Sequence, residues 1–208
     1  MRRRDALSVL ALAALPGCAG ARRPAAESAS EPVPEPEPET EPFRVLAPTE
    51  RVPGFRVVDS TGAPTSAREL IGNQAFVVAF FATWCRVCEM KLPILGEALR
   101  DQTALRLLLV SLDEQDSLGR VPSFLARVGL ARPFVHGLRY PRFALSYDPL
   151  ETVPALAVVG RNGYLVDYQV GYSTRHQPRL QAAIEVAGRL APDAPPFLGD
   201  PATEPPDL

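Results

Sequence analysis

The sequence predicts a domain of the α/β class, in which helices flank a mixed central sheet. Two apolar runs, at residues 75–81 and 105–112, are rich in strand-forming residues; the first is continuous, and the second contains Arg106 and Ser111. Such runs are typical of strands that are buried on both faces of a sheet. A helical pattern follows each run, at residues 85–100 and 123–128. Strands that alternate with helices in this way favour parallel pairing of the two runs.

Shorter elements are predicted on either side of this centre. Ser66 and Glu69 have the spacing of a capping box, which indicates the start of a short helix. Asn162-Gly163 separates two strand patterns and predicts a tight hairpin, whose antiparallel pairing makes the sheet mixed. The outer elements are a strand, the capped helix, the two hairpin strands and a closing amphipathic helix, at residues 55–58, 66–70, 155–159, 164–170 and 178–190.

Composition separates this domain, residues 49–190, from two flanking segments. Most of the 23 prolines lie in residues 24–53 and 192–206. Residues 19–48 contain repeated Glu-Pro pairs, which predict a stiff, extended tether because proline fixes φ and glutamates repel one another. Residues 191–208 combine Pro-Pro pairs with acidic residues and are predicted to be a disordered tail.

Residues 1–18 are predicted to be an export signal with a lipid-attachment site. Three arginines precede an apolar run that ends at Leu15, which is the layout of a signal peptide. The run is too short for a membrane span, which needs about 20 residues. Leu15-Pro16-Gly17-Cys18 resembles the bacterial lipobox. This resemblance implies lipidation of Cys18 and a periplasm-facing place in the bacterial cell envelope, with an incidental thiol as the alternative.

The charge balance argues against a nucleic-acid partner. The chain has 22 basic and 24 acidic residues, for a formal net charge of −2. A protein that binds nucleic acid needs a basic surface to neutralise phosphates. We therefore expect protein partners and no nucleic acid.

Cys85 and Cys88 carry the strongest chemical signal in the sequence. They lie three residues apart, between a predicted buried strand and the start of a helix, which is typical of redox-active dithiols. The free N–H groups and positive dipole of a helix N-terminus stabilise a thiolate at Cys85. A thiolate is the species that attacks disulfides. Cys88, one turn further along, would then resolve the mixed disulfide.

Two other interpretations of the cysteine pair remain open. A zinc site would need two more ligands, and only His136 and His176 are available besides the acidic residues. A purely structural disulfide would close a loop too small to constrain the unfolded chain much. We therefore expect no metal, and no cofactor beyond a redox-active Cys85–Cys88 disulfide.

The segment Phe80-Phe81-Ala82-Thr83-Trp84-Cys85-Arg86-Val87-Cys88, followed by Leu92-Pro93, resembles the active-site segment of the thioredoxin superfamily. It is most similar to the membrane-anchored TlpA/ResA-like thiol–disulfide oxidoreductases, over about residues 53–190. The resemblance implies a thioredoxin-like sandwich, with Trp84 on the substrate face; a core aromatic is the alternative. It also implies that a cis bond before Pro154 brings the Val153 backbone opposite the sulfurs, where it would bind an extended substrate segment.

The sequence departs from the family pattern at two positions that bear on the chemistry. Ala79 stands where many thioredoxins have a buried carboxylate, so the proton acceptor for Cys88 must be water or another group. Glu151 is a candidate, and a solvated loop charge is the alternative. Arg86 adds positive charge beside Cys85, which favours the thiolate and a more oxidising couple, unless its exposure makes it inert.

The resemblance implies an enzyme that exchanges disulfides with exported proteins and draws electrons from a membrane donor. Reduction is favoured over oxidation, and cytochrome c maturation is one role of this kind. A peroxiredoxin-like thiol peroxidase is an alternative, although it needs a threonine where this chain has Ala82. A metal- or haem-handling module that uses the dithiol as ligands is a second alternative.

Overall fold

Strands and helices alternate along residues 49–148 and 150–198, which are the residues that the computed structural model describes. The strands are β1 (Arg56–Val58), β2 (Pro64–Ser66), β3 (Ala75–Phe81), β4 (Leu105–Ser111), β5 (Phe134–His136), β6 (Ala155–Val159) and β7 (Leu165–Val170). The helices are α1 (Ala67–Leu70), α2 (Arg86–Ala98), α3 (Val121–Arg127), α4 (Pro141–Tyr147) and α5 (His176–Arg189). Gln115–Arg120 and Gly137–Arg139 are 3₁₀ helices.

The two predicted apolar runs form the centre of a five-stranded sheet with the order β5-β4-β3-β6-β7. Strands β3, β4 and β5 run parallel, whereas β6 and β7 pair in antiparallel fashion. Every residue of β3 is buried, as expected for a strand covered on both faces. The predicted α/β class and mixed sheet are confirmed. The parallel strands all end at the same edge, and the loops that follow them meet there.

Each face of the sheet has its own apolar core. On one face, Ala79 and Leu156 belong to the cluster that includes the buried residues of α2, α3 and α5. On the other face, Phe76 and Phe80 pack with α4 and the β1–β2 hairpin. The rings of Phe55 and Phe143 approach to 4.8 Å in that second core. Helix α2 is therefore fixed against the sheet along its whole buried side.

Five elements of the structure were not predicted: strands β2 and β5, helix α4 and the two 3₁₀ helices. Strand β5 has only three residues, and its pairing with β4 depends on long-range contacts that the local pattern does not reveal. Helix α4 is seven residues long and begins at Pro141, a residue tolerated in the first turn of a helix. The closing helix also begins earlier than predicted, at His176, because Pro178 lies within its first turn.

The structure corrects the predicted disordered tail for residues 191–198. Ala194 and Phe197 are partly buried and pack against the core that includes residues of α2 and α5. The buried Asn162 donates hydrogen bonds through Nδ2 to the carbonyl oxygens of Ala194, at 3.3 Å, and Pro195, at 3.0 Å. A buried amide needs such partners, and the chain beyond α5 supplies them.

The signal peptide, the lipid-attachment residue Cys18, the tether at 19–48 and residues 199–208 lie outside the described residues. The assignments made for them remain predictions. None of the helices in the described parts of the chain is long and apolar enough to cross a membrane.

Candidate active site

Cys85 lies at the N-terminus of α2, immediately after the loop that leaves β3. It is the N-cap residue of the helix, and its Sγ accepts a hydrogen bond from the backbone N–H of Cys88 at 3.1 Å. The same N–H also donates to the carbonyl oxygen of Cys85 at 3.1 Å, so the sulfur shares a donor of the first helical turn. The predicted location of the sulfur at a helix N-terminus is thus observed.

Cys85 and Cys88 are joined by a disulfide, with their Cα atoms 5.3 Å apart. The two residues differ in access to solvent, since Cys85 is 6% exposed and Cys88 is completely buried. Of the two residues, only Cys85 therefore has surface that an incoming thiol or disulfide can contact.

The loop before β6 faces the disulfide. The Val153–Pro154 peptide bond is cis, as the resemblance implied. The carbonyl oxygen of Val153 lies 3.5 Å from Sγ of Cys85. The Pro154 carbonyl in the same loop accepts a hydrogen bond from Gly171 N–H at 2.8 Å, which connects the loop to the residue after β7. The backbone of Val153 is thereby held opposite the reachable sulfur.

Trp84 is 69% exposed, so the alternative of a core aromatic is excluded. Val87 and Met90 are also exposed, one turn apart on α2. Together these three side chains give the surface next to Cys85 an apolar character. Arg86, the first residue of the helix, is also exposed and lies between Trp84 and Val87 in the sequence.

Glu151 lies in the segment between α4 and β6, where its backbone has a positive φ of 47°. Its side chain is exposed, whereas Cys88 is fully buried. Within the described part of the chain, no hydrogen bond joins Glu151 to either sulfur. This arrangement matches the alternative of a solvated loop charge and does not favour the role of proton acceptor.

Asp113 is a buried residue whose importance the sequence analysis missed. Its carboxylate accepts hydrogen bonds from the backbone N–H of Thr83 at 3.0 Å and from the Thr83 hydroxyl at 2.6 Å. It also accepts one from the Ser111 hydroxyl at 2.8 Å. Thr83 lies two residues before Cys85, so Asp113 holds the loop that carries the nucleophile. A Ser-x-Asp pattern at the end of a buried strand was the available signal.

Lys91 is a second buried residue that the sequence analysis missed. It lies on α2, one turn beyond Cys88, and is 1% exposed. Its Nζ donates a hydrogen bond to Oε1 of Gln169 at 2.6 Å and lies 3.2 Å from Nδ1 of His176. Burial lowers the pKa of Lys91 to about 8, although the charge of Asp167 acts in the opposite direction.

Asp148 is the third buried polar residue near this edge of the sheet. Its Oδ1 accepts hydrogen bonds from the Tyr168 hydroxyl at 2.8 Å and from the Thr152 hydroxyl at 3.3 Å. Its Oδ2 is buried without a hydrogen-bond partner. Burial raises the pKa of this carboxyl, and the hydrogen bonds oppose that rise. Asp148 lies on the α4 face of the sheet, opposite the face that carries α2.

Metal binding is not indicated in the part of the chain that the structure describes. Residues 49–148 and 150–198 contain no cluster of three or more histidine, cysteine or acidic side chains that could hold a metal ion. The two described cysteines are bonded to each other. The chemistry that this arrangement can perform is exchange between its own disulfide and another one.

A disulfide at the head of a helix, facing a cis-proline at one edge of a mixed sheet, defines the thiol–disulfide oxidoreductases of thioredoxin-like fold, and this protein is one of them. The chain belongs to the Redoxin family, which matches residues 47–184, more than half of its length.

Known relatives agree with this assignment. The chain is 23% identical over 128 residues to the thiol-disulfide oxidoreductase ResA of Bacillus thuringiensis, an alignment that covers 62% of this chain and 72% of that protein. A putative protein disulfide isomerase from Bacteroides thetaiotaomicron has a similar fold, with a TM-score of 0.58, 20% identity, and coverage of 70% of this chain and 92% of that one. A putative thiol:disulfide interchange protein DsbE from Chlorobium tepidum gives a TM-score of 0.57 at 20% identity, with coverage of 68% of this chain and 98% of that one. The predicted thioredoxin-like sandwich is confirmed.

Proposed function

We propose that the protein reduces disulfides in exported proteins, outside the bacterial cytoplasm, while a lipid on Cys18 holds it to a membrane. The observation that carries this proposal is the single reachable sulfur of Cys85 at the start of α2, opposite the Val153 carbonyl. An electron donor in the membrane returns the Cys85–Cys88 disulfide to the dithiol after each turnover. Oxidised haem-attachment cysteines of cytochrome c are one class of substrate that such a reductase serves.

The first step is attack by the Cys85 thiolate on a substrate disulfide. The thiolate is stabilised by the N–H of Cys88, which lies 3.1 Å from this sulfur in the disulfide form, and by the positive end of the α2 dipole. The substrate segment lies extended against the backbone of Val153, as in the addition of a strand. Exposed Trp84 contacts its apolar side chains. One substrate sulfur bonds to Cys85 and the other leaves as a thiolate.

The second step releases the substrate. The Cys88 sulfur lies one helical turn from Cys85 and is buried, so it attacks Sγ of Cys85 and displaces the substrate sulfur bonded there. Its attack forms the Cys85–Cys88 disulfide and frees the second substrate thiol. Across both steps the substrate gains two electrons and the protein loses two.

Trapping the mixed disulfide tests which proteins the site acts on. In a Cys88→Ala variant the second step cannot occur, so we expect a covalent adduct between Cys85 and an exported protein that dithiothreitol releases. The matched control is Cys88→Ala combined with Cys85→Ser, which retains Cys18 and should form no adduct. Adducts that persist in the control, or adducts only with cytoplasmic proteins, contradict the proposal.

The reduction potential tests the direction of electron flow. We expect equilibration of the full-length protein with glutathione to give a potential below about −180 mV, the range of protein disulfide isomerase. A couple at lower potential donates electrons to most strained or newly formed disulfides. A potential well above that range would identify an oxidase and contradict the reductase assignment.

A further inference from the structure

Lys91 is the only lysine in the chain, among 22 lysine and arginine residues. Arginine stays charged inside proteins, whereas a lysine can lose its proton when it is buried. This lysine lies on the active-site helix, and its exposed fraction is only 1%. An exposed basic residue would need no explanation, but burial of an ammonium group is costly and calls for one.

The side chain of Lys91 lies on the same side of α2 as the resolving cysteine. Cys88, Lys91, Leu92 and Leu95 are the buried residues of this helix, and their spacing follows the helical repeat. On such a face, residues three apart have Cβ atoms about 5–6 Å from each other. Lys91 is therefore the residue one turn beneath Cys88, inside the apolar core.

The Nζ atom is directed to the edge of the sheet at which the disulfide lies. Its partner Gln169 pairs with Leu156, and Leu156 pairs on its other side with Ala79. Gln169 is thus in the same row across the sheet as Ala79, the position at which many thioredoxins have a buried carboxylate. The next residue of β7, Val170, pairs with Ala155, directly after the cis-proline.

Both partners of Nζ are uncharged. Burial and the neighbouring Lys91 lower the pKa of His176, which favours the neutral ring, and Nδ1 is the acceptor in the tautomer that carries its proton on Nε2. Asp167 is one hydrogen bond further away, since its Oδ2 accepts from Nε2 of Gln169 at 2.7 Å, and Oδ1 pairs with Arg179 at 2.9 Å. The positive charge of Lys91 therefore has no carboxylate against it among its hydrogen bonds in the described residues.

We propose that Lys91 is a positioning residue of the dithiol, whose buried positive charge stabilises the thiolate formed at Cys88 during the resolving step. This inference rests on the proposed exchange function. Ala79 has no charge with which to influence the sulfurs. The inference assigns that influence to the amine of Lys91, on α2.

The proposed step is balanced without an external proton acceptor. After Cys85 has bonded to one substrate sulfur, the other substrate sulfur leaves as a thiolate. Cys88 then loses its proton, which ends on that leaving thiolate, and its own thiolate attacks Cys85. The Cys85–substrate bond breaks and the Cys85–Cys88 bond forms. Lys91 keeps its proton throughout and lowers the free energy of the Cys88 thiolate.

Coupling between the amine and the sulfurs is reciprocal, so it can be measured at either group. A thiolate near Lys91 must raise the pKa of the amine as much as the amine lowers that of the thiol. Two unit charges on the order of 10 Å apart, at an effective dielectric constant of about 20, interact strongly enough for a change on the order of tenfold. The ionisable groups nearest to the amine are Asp167, His176 and Arg179. Those on the same helix are Arg86, Glu89 and Glu97, and the two glutamates pair with Arg127 and Arg100 at the surface.

The single lysine permits a direct test on the unmodified protein. Lysine labelled with ¹³C at Cε gives one side-chain NMR signal in the full-length chain, which can be titrated in the disulfide and dithiol forms. We expect reduction to decrease the acid dissociation constant of the Lys91 amine by about tenfold. Identical titration curves in the two redox forms would overturn the inference.

Variants provide the complementary test through the equilibrium with glutathione. Lys91→Met removes the charge and should shift the constant about tenfold towards the disulfide, equivalent to about 30 mV. Lys91→Arg retains the charge and should restore most of the wild-type constant. Arg127→Met is the matched control, since it removes an exposed charge that contacts Glu89, a residue on the same helix as Lys91. It should change the constant less than twofold.

The outcomes separate this inference from the proposed function. A wild-type protein that exchanges no disulfides contradicts the function itself. A wild-type protein that exchanges them normally, together with a folded Lys91→Met variant of unchanged constant, contradicts only the role of Lys91. If the variant does not fold, the NMR titration of the wild-type protein decides.

Discussion

Asp113 shows how a single buried carboxylate fixes the loop that carries the nucleophile. It has no exposed surface, and its three donors come from the end of β4 and from the loop after β3. The carbonyl oxygen of Asp113 also lies 3.1 Å from Nε2 of His136. Hydrogen bonds to a charged group contribute about 1.5–3 kcal/mol each, and buried donors that lose their acceptor are costly. The position of Thr83, and with it that of Cys85, therefore depends on this residue.

Replacing Asp113 with alanine should destabilise the oxidised protein by about 3 kcal/mol, because the Thr83 and Ser111 donors lose their acceptor. Urea unfolding of the full-length protein measures this change. Asp116→Ala is the control, since Asp116 is exposed and its loss should change stability by about 0.5 kcal/mol or less. A loss below about 1 kcal/mol in Asp113→Ala would show that water replaces the carboxylate.

Site residues differ in how far local sequence reveals them. Cys85 and Cys88 are recognisable because their spacing, the strand before them and the helix after them are all local. The cis bond at Val153–Pro154 was predicted through family resemblance, since the sequence by itself carries no signal for it. The roles of Lys91 and Asp113 depend on contacts with residues 78 and 30 positions away. Such contacts follow from the fold and cannot be derived from spacing.

At the scale of elements, the segment between α4 and β6 is attached to the sheet through Asp148. The carboxyl group accepts hydrogen bonds from Tyr168 on β7 and from Thr152, two residues before the cis-proline. It thereby joins the end of α4, the β7 strand and the loop that faces the disulfide. Asp148 and Glu151 both line a small cavity with Phe80 and Leu112 at this edge.

Stability should depend on pH through Asp148. Burial raises its pKa above the ordinary value of 3.8, so the folded chain binds this proton more tightly than the unfolded chain. The resulting stabilisation is fully present below that ordinary value and is lost as pH rises through the raised pKa. The free energy of unfolding, relative to that of Asp148→Asn, should therefore decrease as the pH rises above 3.8. Urea unfolding at several pH values measures it, and a difference that grows with pH contradicts the assignment.

The elements themselves were predictable in proportion to their length and local regularity. Strands β3 and β4 have seven residues each; β3 is a continuous apolar run, and β4 is apolar except at Arg106 and Ser111. Strand β5 and helix α4 are short, and each becomes regular only because a neighbour buries it. Tertiary contacts therefore determine the elements on the α4 side of the sheet.

At the scale of the whole molecule, the domain extends beyond its last helix. Residues 191–198 close over Asn162, whose side chain is completely buried beneath them. The composition of this segment, rich in proline, predicted disorder because proline and acidic residues bury little apolar surface. Asn162 and the apolar side chain of Phe197 supply the contacts that composition does not report.

Truncation tests this extension. A chain that ends at Leu190 leaves the Asn162 amide without its two acceptors and should lose about 1–3 kcal/mol of stability. A chain that ends at Leu198 keeps those contacts and is the matched control, for which we expect little change. Thermal or urea unfolding distinguishes them, and equal stability of the two truncated chains would show that residues 191–198 contribute nothing.

The difference in access between the two sulfurs imposes an order on the reaction. An incoming molecule contacts Cys85 and not Cys88. A covalent adduct therefore forms only on Cys85, from which the thiolate of Cys88 can displace it. No adduct forms on the buried sulfur of Cys88, where no neighbouring thiol could resolve it. Bulky electrophiles should for the same reason modify the reduced site once, and leave the inner thiol free until the chain unfolds.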